Sequence, residues 1–324
     1  MDWMHNAITC MKRQKLLMSV EVSPVTAPVW LGEGPHWSHH HRALFFVSIF
    51  DKSVHKYDPV TGKHTSAKLA DMPGFIIPLE GTKDRFVVGL KLDVVVVAWD
   101  GEGDARVERT VARLDTHSPQ NRINDAKADP RGRLFVGTMG YEYEPGKFHL
   151  KKGSLYRLDH DGSLHRVVRD VDISNGLCWS VDEKAFYYAD SFEYAIRRYD
   201  YDIKTGDISN PRIVFRYKDH GLEGIVDGMT IDTDGNLWVA NFDGSQVLKI
   251  DPRKGKLLQK VPIPALQTTS CTWGGEALDT LYVTSAAMNR GSEQLPPAGA
   301  TFRVAGLGAR GHRNHCVTLQ LKDK

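Results

Sequence analysis

Leu237-Trp238-Val239-Ala240-Asn241 is a short apolar run ended by a polar residue and preceded by an Asp-Gly turn at Asp234-Gly235. Shortly after it comes Val247-Leu248-Lys249-Ile250-Asp251, then Pro252 and a turn at Gly255. The same two-run unit recurs along the chain. Leu44–Ser48 pairs with Val54–Asp58, Phe86–Gly89 with Val94–Val97, and Leu134–Gly137 with Leu155–Asp159. Phe186–Asp190 pairs with Ile196–Asp200, and Leu281–Ser285 with Thr301–Val304. The runs are β-branched and aromatic, with Gly, Pro, Asn and Asp between them, so they read as strands. A unit repeated at roughly 40 to 50 residues is the signature of a blade-repeat architecture. The expectation is an all-β chain: a six-bladed β-propeller of four-stranded antiparallel blades.

The 324 residues would allow two domains by length, but a ring of blades closes as one unit. Residues 20–324 are expected to form that single propeller. Met1–Ser19 carries Lys12, Arg13 and Lys15 ahead of Leu16-Leu17-Met18, an apolar stretch too short for a secretory signal core. It reads as a flexible extension. A formal net charge of +2, with 25% charged residues, argues against electrostatic capture of nucleic acid or of an anionic membrane. Cys10, Cys178, Cys271 and Cys316 form no CxxC pair and read as free thiols of a reducing compartment, which points to the cytoplasm.

Polar residues recur at one place in these units. Glu33, Asn124, Asn175, Asp227 and Ser270 each lie about ten or eleven residues ahead of their unit's apolar run, which places them alike if each unit is one blade. The first strand of a blade lines the central channel, so these side chains should converge. The second unit carries Phe75-Ile76-Ile77-Pro78 there and offers no charge. Glu33 and Asp227 supply carboxylates and Asn175 a carbonyl oxygen. Such hard oxygen donors suit Ca²⁺, Mg²⁺ or Mn²⁺. Three protein ligands leave positions open, as a catalytic metal requires. Arg122 and Asn124 share a face of one strand and suit a carboxylate or vicinal hydroxyls. Glu142 stands in a long connection that reads as a lid or rim. The histidines 36, 39, 40 and 41 sit at a strand-turn boundary and point to different faces. Asp232–Asn236 resembles the start of a calcium loop, but its glycine is misplaced, so it reads as a turn.

These residues spell a family. The chain resembles the regucalcin, gluconolactonase and luciferin-regenerating-enzyme family of six-bladed propellers. The resemblance rests on Gly32-Glu33-Gly34-Pro35 with Trp37, on Asn121-Arg122-Ile123-Asn124-Asp125, and on Gly137-Thr138-Met139. It continues through Ser174-Asn175-Gly176-Leu177 with Trp179, Asp227-Gly228-Met229, and Leu237-Trp238-Val239-Ala240. It implies a divalent metal held by Glu33, Asn175 and Asp227, and substrate held by Arg122, Asn124 and Glu142. Calcium is the leading expectation, with zinc, manganese or magnesium as alternatives.

The expected function is metal-dependent hydrolysis of a small sugar-like lactone, with Asp227 as the catalytic base. A luciferin-regenerating or organophosphate-hydrolysing activity would use the same site. A non-catalytic calcium-binding regulator would use only the metal ligands. The expected partner is a small-molecule lactone, with no nucleic acid and no membrane, on a monomer or weak dimer. Specificity is expected from Phe75–Ile77 and from the lid over residues 141–152.

Overall fold

The structure, a computed structural model, describes residues 19–320 except positions 145, 290 and 292. The extension expected over residues 1–19 lies outside the described residues apart from Ser19. The described chain is all-β, and its helical elements are two short 3-10 turns, Ser191–Glu193 and Tyr217–His220. The strands gather into small antiparallel sheets in a propeller-like arrangement.

Four of the sheets are separate four-stranded meanders. The first contains Gly32–Ser38, Ala43–Ser48, Ser53–Tyr57 and His64–Lys68. The second contains Pro73–Pro78, Arg85–Leu90, Asp93–Ala98 and Arg106–Arg113. The third contains Arg122–Ala128, Leu134–Met139, Gly153–Leu158 and Leu164–Val171. The fourth contains Ser174–Trp179, Ala185–Asp190, Ala195–Tyr201 and Ile208–Arg216. The remaining strands, apart from the hairpin Glu142–Glu144 with Lys147–Phe148, form one eight-stranded sheet. Its first half is Ile225–Ile231, Leu237–Phe242, Gln246–Asp251 and Lys256–Pro262. Its second half is Gln267–Gly274, Thr280–Ala286, Phe302–Ala305 and, from the other end of the chain, Glu21–Pro24. A single residue pair, Phe242 with Gln267, joins the halves. Six separate blades were expected. Among the described residues the sheets are instead four separate meanders, this double one and a two-stranded hairpin.

The first strands of successive meanders abut one another, and Gln267–Gly274 returns to Gly32–Ser38 to close a ring. Glu21–Pro24 pairs antiparallel with Phe302–Ala305, so the two ends of the chain meet in one sheet. Strands near the ring, such as Leu237–Phe242, are buried along their whole length. Covered on both faces, they read as unbroken apolar runs. The outermost strand of the second sheet, Arg106–Arg113, has no buried residue and carries charge, which suits an unpaired edge. The core lies between sheets: Phe45 and Val47 of the first sheet pack with Phe86, Val88 and Val95 of the second.

Each first strand carries a register irregularity near its start. The shifts fall between Glu33 and His36, Pro73 and Ile76, and Ile123 and Ala126. They recur between Asn175 and Leu177, Val226 and Met229, and Thr268 and Ser270. A bulge leaves a residue unpaired and re-aims its side chain.

At the opposite end of the ring, residues 311–320 run as a strap. Gly311 bridges Asp232, and Val317 bridges Leu79. Thr318 N–H donates to Gly132 O at 2.9 Å and Gln320 N–H to His160 O at 2.7 Å. The strap therefore ties the eight-stranded sheet to the second and third sheets.

Candidate metal and catalytic site

Glu33, Arg122, Asn124, Asn175 and Asp227 line one cavity of about 60 Å³. They come from four sheets and from positions almost two hundred residues apart. The bulges explain the meeting. Asn124 and Asp227 sit inside bulges, and Glu33 and Asn175 at the edges of theirs. Close strand approach helps. A Cβ on Gly176 would stand 2.6 Å from Asp227 O, and one on Gly228 would stand 2.0 Å from Ser270 Oγ. Only glycine lets these neighbouring strand starts pack so closely.

Ser270, placed by spacing with the other four, does not line the cavity. It has resumed ladder pairing, opposite Thr284, beyond its own bulge. The second sheet also stays out. Its Phe75 is fully buried and abuts the Gly89 and Ile123 region, so it fills core instead of shaping the cavity.

A hydrogen-bond chain orients the amides. Ser191 Oγ–H donates to Val226 O at 2.7 Å, so it accepts from Asn175 Nδ2 at 2.8 Å. That turns Asn175 Oδ1 to the other side, where Asn124 Nδ2 donates to it at 3.1 Å. Asn124 Nδ2 also donates to Ser174 O at 2.9 Å. Asn124 Oδ1 accepts from Arg122 Nη1 at 2.6 Å. Arg122 is therefore carried on Asn124. Asp129 pairs with Arg133 Nε at 2.6 Å.

The acids are under electrostatic load. Glu33 is pushed up to about 8 by burial and by the charge of Asp125, against the opposing Gly34 N–H and Arg122. Burial, then the charges of Glu33 and Asp125, hold Asp227 well above the carboxylate range. Asp125 is itself pushed up to about 6 by burial. Asp227 Oδ1 is buried and has no hydrogen-bond partner. A divalent cation among Glu33, Asp227 and Asn175 Oδ1 would relieve this repulsion and engage the orphaned oxygen. The residues present fit such an ion. Among the described residues no cluster of three His, Cys, Asp or Glu side chains forms; the candidate set is two carboxylates and an amide.

Spacing did not reveal Asp125 or Ser191 as parts of the site. Asp125 follows Asn124 in the same bulge, and that adjacency was the available signal. Ser191 sits on a turn after the second strand of its sheet, where no repeat marks it.

Glu142 does not line this cavity. It begins a small hairpin, Glu142–Glu144 with Lys147–Phe148, at the rim. There it accepts from Gly146 N at 2.5 Å. It lines a neighbouring groove with Trp30, Phe50, Tyr143 and Met288. The same hairpin sends Phe148 into the cavity, beside Phe192, Ile225, Phe242 and Met288. The connection expected to act as a rim does stand there.

The histidines 36, 39, 40 and 41 form no metal centre among the described residues. His41 bonds Ser38 Oγ and Lys83 O, each at 2.7 Å. Asp232–Asn236 is a turn, with Asp232 Oδ1 accepting the N–H groups of Asp234 and Asn236.

Residues 31–287 match the model of the SMP-30/Gluconolactonase/LRE-like region. The chain belongs to this family. Regucalcin of Gallus gallus is 40% identical over 284 residues, covering 87% of this chain and 92% of the relative. A solved luciferin-regenerating enzyme superposes with a TM-score of 0.88 at 39% identity, covering 93% of this chain and all of that one. A calcium-binding regucalcin of Agrobacterium tumefaciens superposes with a TM-score of 0.80 at 24% identity, covering 91% and 96%. That last likeness speaks to the fold alone. No described helix is long and apolar enough to cross a membrane.

Proposed function

We propose that this family member is a divalent-metal-dependent lactone hydrolase. The observation that carries the reading is the convergence of Glu33, Asn175 and Asp227, from three sheets, on one buried cavity where Asp227 Oδ1 has no partner. Its family and its likeness to regucalcins support it. We also read the double sheet as two blades, because one residue pair joins two complete meanders. That reading yields six blades around the closed ring.

Glu33, Asn175 and Asp227 would hold the ion, with calcium first in expectation. A bound divalent cation supplies a Lewis acid for a carbonyl oxygen. Asp227 accepts the proton of the attacking water. The water oxygen bonds to the acyl carbon, and the ring carbon–oxygen bond breaks. The proton passes to the departing alkoxide, giving an open-chain hydroxy acid. Arg122, steadied by Asn124, donates toward substrate oxygens. Free Cys178, Cys271 and Cys316 support a reducing compartment, and we place the protein in the cytoplasm as a monomer or weak dimer.

The test is hydrolysis of a lactone series by chelator-treated protein titrated with single ions. Activity should return with a divalent ion, and Asp227→Ala should lose turnover and ion binding together. Near-native hydrolysis by Asp227→Ala would refute the assignment. Tight ion binding with no turnover on any lactone or ester would make the protein a calcium-binding regulator.

A further inference from the structure

The walls around the proposed site do not suit a polyhydroxylated ring. Of the fourteen described residues that line the cavity, eight are apolar. The polar six are the three proposed ion ligands, Ser191, and the Arg122–Asn124 pair. Ser191 is spent on Asn175 and Val226. A sugar lactone would bury several hydroxyls against Phe192, Ile225 and Phe242, which offer no hydrogen bonds. Unpartnered hydroxyls are costly to bury.

The rim points the same way. Trp30, Tyr143 and Tyr194 are the exposed aromatic side chains among the described residues, at 53%, 51% and 47%. All three stand at this mouth. Trp30 and Tyr143 line the groove beside the cavity. Tyr194 stacks on Phe192, a cavity-lining ring, with centroids 6.4 Å apart. Groove and cavity are neighbours, with Met288 lining both. The hairpin also serves both, through Tyr143 in the groove and Phe148 in the cavity. Exposed aromatics held open beside a polar centre are what a ring-bearing ligand covers. Among the described residues the charged groups lining the groove are Glu142 and Glu144, the latter paired with Lys147 Nζ at 2.6 Å, so the lining offers no cation to an anionic group.

We propose that the substrate carries a neutral aryl group that lies in this groove, between Trp30 and Tyr143, while its lactone carbonyl reaches the acid hub. The proposal rests on the hydrolase reading and narrows it from sugar lactones to aryl-substituted ones. Trp30 and Tyr143 are then specificity-determining residues, and the second sheet is not.

The experiment compares δ-phenyl-δ-valerolactone, unsubstituted δ-valerolactone and D-glucono-δ-lactone on the ion-loaded full chain. The first two share ring size and an alkoxide leaving group, so their ratio reports the aryl contact. The kcat/KM of the phenyl lactone should exceed that of the plain lactone at least tenfold, with the glucono-lactone the poorest. Trp30→Ala and Tyr143→Ala should each shrink the phenyl-to-plain ratio about tenfold, read mainly in KM. Equal kcat/KM for phenyl and plain lactones, or preference for the glucono-lactone, overturns the aryl subsite and leaves the hydrolase reading standing. If no lactone turns over, binding of 5-hydroxy-5-phenylpentanoate decides. Binding weakened about tenfold by Trp30→Ala keeps the subsite and drops the hydrolase. Binding unchanged by Trp30→Ala overturns the subsite too.

Discussion

The two mouths of the ring are built by the same strands, yet they differ in kind. At the mouth where the first strands begin, bulges break the ladders and turn Glu33, Asn124, Asn175 and Asp227 inward. Carboxyls crowd there, and aromatics stand open on the rim. At the other mouth the strands are regular and the chain itself forms a cover. Lys127 Nζ donates to Met229 O at 2.9 Å, and burial pushes the thiols of Cys178 and Cys271 up to about 12. Asn314 of the strap donates to Thr272 Oγ1 at 2.9 Å. The difference shows where a propeller can carry chemistry. Irregular strand starts leave groups unsatisfied and aimed at a ligand, whereas strand ends met by backbone from elsewhere in the chain become structure.

The largest effect expected from this contrast comes from Ser191, which steadies Asn175 at the acid mouth. Ser191→Ala should weaken divalent-ion affinity about 10- to 100-fold, the usual cost of losing an outer partner of a ligand. Isothermal titration of the apoprotein reads it directly; unchanged affinity would remove Asn175 from the ligand set.

Next comes the strap. Val317 is fully buried where it bridges Leu79. Val317→Ala removes two buried methyl groups and should cost about 2 kcal/mol in urea unfolding. KM should not move, because the strap closes the mouth away from the site. A shift in KM larger than that in stability would mean the mouths communicate.

Smaller when reckoned per pH unit is the effect of acid. His55 is held down to about 3, first by burial and then by the charge of His64, with Asp51 opposing and Lys68 adding to the depression. Unfolded histidine titrates near 6.5. Above that value both states are neutral and the stabilisation is complete. As pH falls from 6.5 toward 3, the unfolded chain takes a proton that the folded chain refuses. Stability should therefore fall by up to about 1.4 kcal/mol per pH unit from this group. His55→Asn should flatten the fall in urea midpoints over that window, and an equally steep fall would assign it to other groups.

The smallest effect belongs to Glu142. It stands on the rim and outside the cavity, so Glu142→Gln should change kcat/KM on the plain lactone less than about threefold, well below the worth of a positioned acid or base. A hundredfold loss would show that the hairpin closes over the substrate.

The repeat of apolar runs was enough to read an all-β ring, because strands covered on both faces must be apolar throughout. The spacing of Glu33, Asn124, Asn175 and Asp227 was legible for the same reason: equivalent places in equivalent units face a common axis. Ser270 shows the limit. Its bulge lies ahead of it, and a one-residue difference in register is invisible in spacing but turns a side chain away. Asp125 and Ser191 escaped because their roles depend on bulge geometry and on a turn outside the repeat. The strap, the apolar walls and the aromatic rim were settled only by tertiary structure. Residues 311–320, Trp30, Tyr143 and Met288 carry no periodic signal, and what they do depends on segments distant in the chain that the fold sets beside them.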